Sequence, residues 1–184
     1  MERKLELKDI AGYLPYGLIW RGITVGTEFT TKEQSNKNYS LNSVESLFLN
    51  DRTKENTPIL RPLSDLDKTI THNGEEFIPI VKLAKIVMYN APYLVDTYTL
   101  LSDNSVKITY SHSADCFIFD FCKINKIFSL ESVNTLHGKT PQYKLFYNQY
   151  QLFDKLNEWK IDYRGLIEKG YAIDANTLDI NPYK

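Results

Sequence analysis

The chain has 184 residues, 42% of them hydrophobic and 24% charged, a composition that suits one soluble globular domain. Its 22 basic residues are offset by 23 acidic ones, which argues against general nucleic-acid binding through excess positive charge. No apolar run is long enough to cross a bilayer, and the first six residues lack the apolar core of a signal peptide, so we expect a cytoplasmic protein without membrane association.

The first quarter of the chain predicts a helix followed by a strand. Leu7, Ile10 and Leu14 recur at helical spacing, which predicts a helix over residues 7–14 that Pro15 and Gly17 bring to an end. The β-branched and aromatic run at residues 18–25 predicts a strand. A polar loop is expected over residues 30–42 and a weak strand over residues 44–49.

A hairpin followed by a helix is predicted in the middle of the chain. Asn73-Gly74 lies between two short β-like runs, and this dipeptide suits a two-residue turn in which both residues need positive φ. After Pro79, apolar residues at helical spacing predict a helix over residues 80–88.

Three strands of an antiparallel meander are predicted next, at residues 95–101, 106–110 and 116–122. In the third strand, Phe117, Phe119 and Phe121 alternate with Asp120, so the rings and this carboxylate are expected on opposite faces. Cys116 and Cys122 have neither CxxC nor disulfide-framework spacing, which indicates buried thiols in a reducing compartment.

A helical pair is predicted over residues 141–170, at the C-terminal end. Thr140-Pro141 has the residues of a helix start, and a wide apolar stripe extends the first helix to residue 158. Asp162 is the expected cap of a shorter helix that ends at Gly170. The predicted fold is thus α+β, an antiparallel sheet of hairpin and meander packed by three to four helices, in a single domain over residues 1–184.

Four blocks of the sequence carry a resemblance to a known group. They read LELKDIAGYLPYGL at residues 5–18, ILRPLSDL at 59–66, HNGEEFIP at 72–79, and the tail over 156–178. In this order they resemble a family of small uncharacterised proteins of Bacteroides-type gut bacteria and their phages or prophages. The resemblance implies a mobile-element setting and a cytoplasmic location. It implies no activity, cofactor or catalytic residue.

One set of side chains would suit nucleophilic catalysis or metal binding. Cys116 with His112 or His137 has the residue types of a nucleophile and its base, and Asp115 or Asp120 would orient the base. The same histidines with His72 would be metal ligands, but no HxH, HExxH or paired CxxC spacing is present. Inert thiols in an apolar strand are the favoured interpretation, so we expect neither a metal nor a cofactor.

The charged candidates also favour structural roles. Glu75 and Glu76 would point to opposite faces of a strand and so would not act as an acid–base pair. Glu168 and Asp162 are candidates for a second such pair, but Asp162 is better explained as a helix cap. Arg61 would suit an anion, but no second basic residue or glycine-rich loop lies nearby, so an exposed arginine on a surface turn is expected.

Three tyrosines, Tyr143, Tyr147 and Tyr150, form the candidate interaction surface, because half-exposed rings in a cluster are typical of interfaces. We therefore expect a non-enzymatic accessory or interaction protein that binds a protein partner or itself. The alternative is a nucleic-acid-binding or regulatory module, with the C-terminal helices as a helix-turn-helix, although its second helix is nearly neutral. An enzyme with an unrecognised site is the third hypothesis.

Overall fold

Strands dominate the computed structural model, which describes residues 5–22, 28–30, 56–87, 95–101, 104–110, 116–133, 142–145 and 149–183. Within these ranges the chain forms sheets of four, five and two strands, together with three short α-helices. The predicted α+β fold, with its sheet packed by three to four helices, is therefore wrong. Several stretches that were expected to be helical bond to strands or form turns instead.

The helices are α1 (Leu7–Ile10), α2 (Pro79–Val87) and α3 (Gln149–Glu158). The strands are, in chain order, β1 (Ile19–Gly22), β2 (Glu28–Thr30), β3 (Asn56–Leu60), β4 (Ile70–His72), β5 (Glu75–Phe77), β6 (Val95–Leu101), β7 (Ser105–Tyr110), β8 (Cys116–Cys122), β9 (Ile127–Val133), β10 (Gln142–Leu145) and β11 (Ile173–Asp174). Short 3-10 turns occupy Leu14–Tyr16, Leu63–Asp65 and Ala175–Thr177. The weak strand predicted at residues 44–49 lies outside the described residues.

The chain divides into two units, and the first combines Met1–Leu63 with Leu156–Lys184. Its sheet has the order β11-β3-β1-β2, in which β11 pairs with β3 in parallel and the other pairs are antiparallel. The C-terminal segment thus completes a sheet begun by residues more than a hundred positions earlier. Several large side chains of this unit are almost completely buried: Tyr13, Trp20, Ile59, Leu60 and Trp159.

The second unit, Ser64–Lys155, contains the predicted meander. Its sheet has the order β10-β9-β8-β7-β6, and every neighbouring pair is antiparallel. One face carries a buried aromatic layer in which Phe119, Phe121 and Phe128 lie on β8 and β9. The ring of Phe153 on α3 packs on this layer, with its centroid 5.5 Å from that of Phe128.

The hairpin of β4 and β5 confirms the prediction made from Asn73-Gly74. The two strands pair antiparallel with His72 opposite Glu75, and the turn residues have φ values of 52° and 79°. Asparagine and glycine tolerate this left-handed conformation far better than other residues.

The predicted helix over residues 141–158 begins later than expected. Gln142–Leu145 is strand β10, which pairs with β9, and α3 begins only at Gln149. The side chain of Gln149 accepts the N–H of Phe128 at 2.9 Å and donates to its carbonyl at 2.6 Å. Since β10 pairs only as far as Ser129, Gln149 continues the hydrogen bonding of β9 beyond the end of β10. Non-local pairing to a strand therefore overrode the local start signal of Thr140-Pro141.

The second helix of the predicted C-terminal pair is a series of turns at residues 163–170. Asp162 does cap this segment, since its carboxylate accepts the N–H groups of Leu166 and Ile167 at 2.9 and 2.7 Å. Gly165 and Gly170 have φ values of 70° and 74°. A residue with positive φ cannot continue a right-handed helix, so the segment turns at Gly165.

Candidate functional site

Of the three tyrosines of the predicted interaction surface, the two that the structure describes, Tyr143 and Tyr150, lie on different elements of the second unit. Tyr150 is on the first turn of α3 with 80% of its surface exposed. Tyr143 is on strand β10, opposite Glu131 in the register, and Tyr147 lies outside the described residues. The structure therefore does not place Tyr143 and Tyr150 on one helix face, contrary to the sequence-based prediction.

Tyr150 is held in a defined position although its ring is exposed. The preceding residue, Gln149, is bonded to the backbone of Phe128 through both polar atoms of its side chain. Two positions further on, Leu152 is buried, and Phe153 packs on the aromatic layer. The first turn of α3 is therefore anchored on both sides of Tyr150.

The candidate nucleophile, Cys116, is a partly buried cysteine at the start of β8, opposite Val133. Its expected partners His112, His137 and Asp115 lie outside the described residues. Asp120 lies on β8 opposite Ser129, whose hydroxyl donates a hydrogen bond to its carboxylate. That contact gives Asp120 a structural role within the sheet.

The charged residues of the β4–β5 hairpin make local contacts. The Glu75 carboxylate accepts from the Lys82 ammonium at 2.6 Å, and this Lys82 group also lies 4.0 Å from the centroid of the Phe77 ring. His72 Nε2 is 3.2 Å from the side-chain nitrogen of Asn73. Glu76 is exposed in the same hairpin. Surface ion pairs of this kind are worth little free energy.

Two further findings concern only the described part of the chain. Its histidine, cysteine and carboxylate side chains do not gather in groups of three or more that would hold a metal ion. Its helices are all too short or too polar to cross a membrane.

Arg61 is buried, so the prediction of an exposed arginine on a surface turn is wrong. Its residue is only 2% exposed, and its Nη2 donates to the carbonyl oxygen of Tyr183 at 2.5 Å. The guanidinium carbon also lies 5.3 Å from the centroid of the Tyr183 ring. The Tyr183 hydroxyl donates in turn to the carbonyl of Ile59 at 2.6 Å. Arg61 and the C-terminal segment thus hold each other in place.

The backbone around Arg61 is bonded to the chain that follows α3. The N–H of Arg61 donates to the carbonyl of Lys160, and the N–H of Asp162 donates to the carbonyl of Arg61, both at 2.8 Å. Lys160 is itself buried, with φ of 60°, and its ammonium donates to the carbonyl of Glu158 at 2.6 Å. Both buried cations therefore donate hydrogen bonds to main-chain carbonyl oxygens, and these bonds satisfy polar groups of the backbone.

Tyr13 brings the N-terminal segment into this region. Its hydroxyl donates to the carbonyl of Ile161 at 3.0 Å, and its ring is 6.1 Å from that of Tyr163. Burial raises the pKa of the Tyr13 hydroxyl well above its usual value near 10, and the negative charge of Asp162 raises it further. The phenol therefore stays protonated at neutral pH and remains a hydrogen-bond donor.

Tyr13, Arg61, Lys160 and Asp162, which are all buried, form with the half-buried Tyr183 a cluster that joins three distant parts of the first unit. Its described polar contacts are made mostly to backbone N–H and carbonyl groups. Such contacts satisfy the main chain of irregular segments and stabilise the fold. Sequence reasoning missed this cluster because no local pattern links Arg61 to Tyr183, although the apolar neighbours Leu60 and Pro62 were a hint of burial.

The helix-turn-helix interpretation is also wrong, because residues 163–170 form turns and supply no recognition helix. Comparison of the chain with protein-family models, curated proteins and solved structures gave no match.

Proposed function

We propose that the chain is a non-enzymatic accessory or interaction protein of phage or mobile-element origin. The observation that carries the interaction part is the exposure of Tyr150 on an anchored helix turn. The four sequence blocks that resemble proteins of Bacteroides-type bacteria and their phages carry the proposed origin.

Tyr150 suits binding to a partner for an energetic reason. A tyrosine ring offers a large apolar area and a hydroxyl, and only two side-chain torsions are fixed on binding. Because Gln149 and Leu152 already hold the backbone of this turn, little further ordering is needed when a partner covers the ring. An exposed ring on an ordered turn is thus a better anchor than the same ring on a mobile loop.

Site-specific photo-crosslinking tests this proposal. A photoreactive phenylalanine analogue replaces Tyr150 in one variant and Lys85 in a matched control, since Lys85 is an exposed residue of the other long helix in the same unit. Illumination in the native host should give a discrete protein adduct from position 150 and none from position 85.

Three results would contradict the proposal. They are no adduct from position 150, the same adducts from both positions, and an adduct at position 150 that nuclease treatment removes. The last result would support a nucleic-acid-binding module instead.

A further inference from the structure

The two edges of the five-stranded sheet differ in how well they are protected against pairing with another strand. Among the described strands, β6 pairs only with β7, and β10 pairs only with β9. β10 has four residues and includes Lys144. β6 has seven residues, and its last five, 97–101, contain neither charge nor proline. Natural sheets commonly protect their edges with short strands and lysine, so β6 is the less protected edge.

The buried face of this sheet continues to β6 without being covered there. Tyr98 lies opposite Ile108 and Leu100 lies opposite Val106, so all four share one face. Ile108 and Val106 are completely buried, whereas Tyr98 and Leu100 are 46% and 38% exposed. The apolar layer therefore ends at β6 in an exposed rim of two large side chains.

We infer that β6 pairs with β6 of a second copy of this chain, antiparallel and centred on Thr99, to form a continuous ten-stranded sheet across a two-fold axis. In this register Tyr98 lies opposite Leu100 of the second copy, and Leu100 lies opposite its Tyr98. Aromatic and aliphatic pairs across strands stabilise a sheet. Tyr98 and Leu100 of each chain would thus be covered by Leu100 and Tyr98 of the other chain.

Charge and symmetry favour a second copy over other occupants. Asp96, the only charged residue of β6, lies outside the five paired residues, so like charges do not face each other across the axis. A register irregularity between Val95 and Thr97 also limits regular pairing to residues 97–101. Pairing of β6 with β10 of another molecule would place a strand that contains Lys144 at the contact and, as a head-to-tail arrangement, would build rings or filaments in place of a two-fold dimer. The short contact implies a weak, concentration-dependent dimer.

The inference goes beyond the proposed function and does not depend on it, because Tyr150 lies on α3 and takes no part in the pairing. The experiment uses the residue on the axis. Thr99 is exposed, and in the dimer it faces its own copy, so Thr99→Lys places two ammonium groups opposite each other without burying a charge in the monomer. Thr99→Glu places two carboxylates there, and Lys107, which lies opposite Thr99 on β7 of the same chain, partly offsets their charge.

Sedimentation equilibrium over a wide range of protein concentration measures the association. The wild-type protein and the Tyr150→Ser control should dimerise equally, while Thr99→Lys should associate about fivefold or more weakly and Thr99→Glu by a smaller factor, because Lys107 partly offsets its charge. An equimolar mixture of the two charged variants should recover a heterodimer, because the introduced ammonium faces the introduced carboxylate only in the proposed register.

Some outcomes would overturn the inference. They are a wild-type protein that remains monomeric at the highest concentration that stays in solution, a dimer unaffected by Thr99→Lys, or a mixture that fails to restore association. Loss of dimerisation in the Tyr150→Ser control would also contradict it, since the contact would then involve α3. If the protein is monomeric but position 150 still crosslinks to a partner protein, the β6 pairing is refuted and the proposed function stands.

Discussion

Replacement of Tyr183 by alanine should destabilise the first unit, because this side chain makes two contacts with residues far away in the sequence. Its ring lies against the guanidinium of Arg61, and its hydroxyl donates to the carbonyl of Ile59. The main-chain carbonyl that accepts from Arg61 remains in the variant, so the substitution tests the side chain alone.

The expected loss follows from the two contacts. The partly buried hydrogen bond from the Tyr183 hydroxyl contributes about 1 kcal/mol. The contact between the ring and the guanidinium contributes about 1–2 kcal/mol, at the upper end of such interactions, because Arg61 is only 2% exposed. Tyr183→Ala should therefore lower the free energy of unfolding by about 2–3 kcal/mol, and Tyr183→Phe, which keeps the ring, by about 1 kcal/mol.

Tryptophan fluorescence during urea unfolding is the suitable assay. The chain has two tryptophans, Trp20 and Trp159, and both are buried in the unit that contains Arg61 and Tyr183. The fluorescence therefore reports the unfolding of this unit. A double-mutant cycle with Arg61→Met should give a coupling energy of about 1 kcal/mol or more with Tyr183→Ala.

Ile180→Ala is the matched control, since Ile180 is in the same C-terminal segment but 81% exposed. It should change the stability by less than about 0.5 kcal/mol. If Tyr183→Ala changes the stability as little as this control does, or shows no coupling to Arg61, the contacts of Tyr183 do not hold the C-terminal segment in place.

Three further substitutions test other parts of the structure. Tyr13→Phe should lower the free energy of unfolding by about 1 kcal/mol at neutral pH, measured by urea unfolding. The difference from wild type should shrink above about pH 10, because Tyr13 then ionises in the unfolded chain while its raised pKa keeps it protonated in the folded one, which favours unfolding of the wild type. A constant difference across that range would contradict the burial of this hydroxyl. Gly12→Ala should cost about 1–3 kcal/mol, because its new Cβ would lie 2.6 Å from Nδ2 of Asn157, a side chain that is only 8% exposed. Adding Asn157→Ala to this variant should recover part of the loss. An unchanged unfolding midpoint for Gly12→Ala alone would refute this contact. Gly74→Val should lower the stability followed by circular dichroism by about 1–3 kcal/mol and Gly74→Asn by less, since φ is 79° there; equal effects of the two substitutions would refute the turn argument.

Elements specified by neighbouring residues were predictable from the sequence. The Asn73-Gly74 turn depends on two residues that tolerate positive φ, and the alternation of β8 depends on the two-residue period of a strand. The capping role of Asp162 was also readable, although the segment that it caps is not a helix. In each case the deciding interactions lie within a few residues of one another.

The candidate surfaces were only partly predictable. The sequence predicted a half-exposed Tyr150 beside Tyr143 on one helix, whereas Tyr150 is 80% exposed on α3 and Tyr143 lies on strand β10. The β6 edge was missed, since a sequence can predict a strand but does not say whether that strand lies at the centre or at the edge of its sheet. The absence of charge over residues 97–101 became meaningful only once β6 was seen to have a single neighbour among the described strands.

By itself, the sequence determined the Asn73-Gly74 turn, the first three meander strands and the balance of charge, because these depend on local conformational preference and composition. The tertiary structure decided what distant residues do to one another. It buried Arg61 against Tyr183, 122 positions away, and paired Gln142–Leu145 with β9 in place of a helix. The physical reason is that a hydrogen bond or a buried charge gains its free energy from a specific partner, and only the folded chain brings that partner within reach.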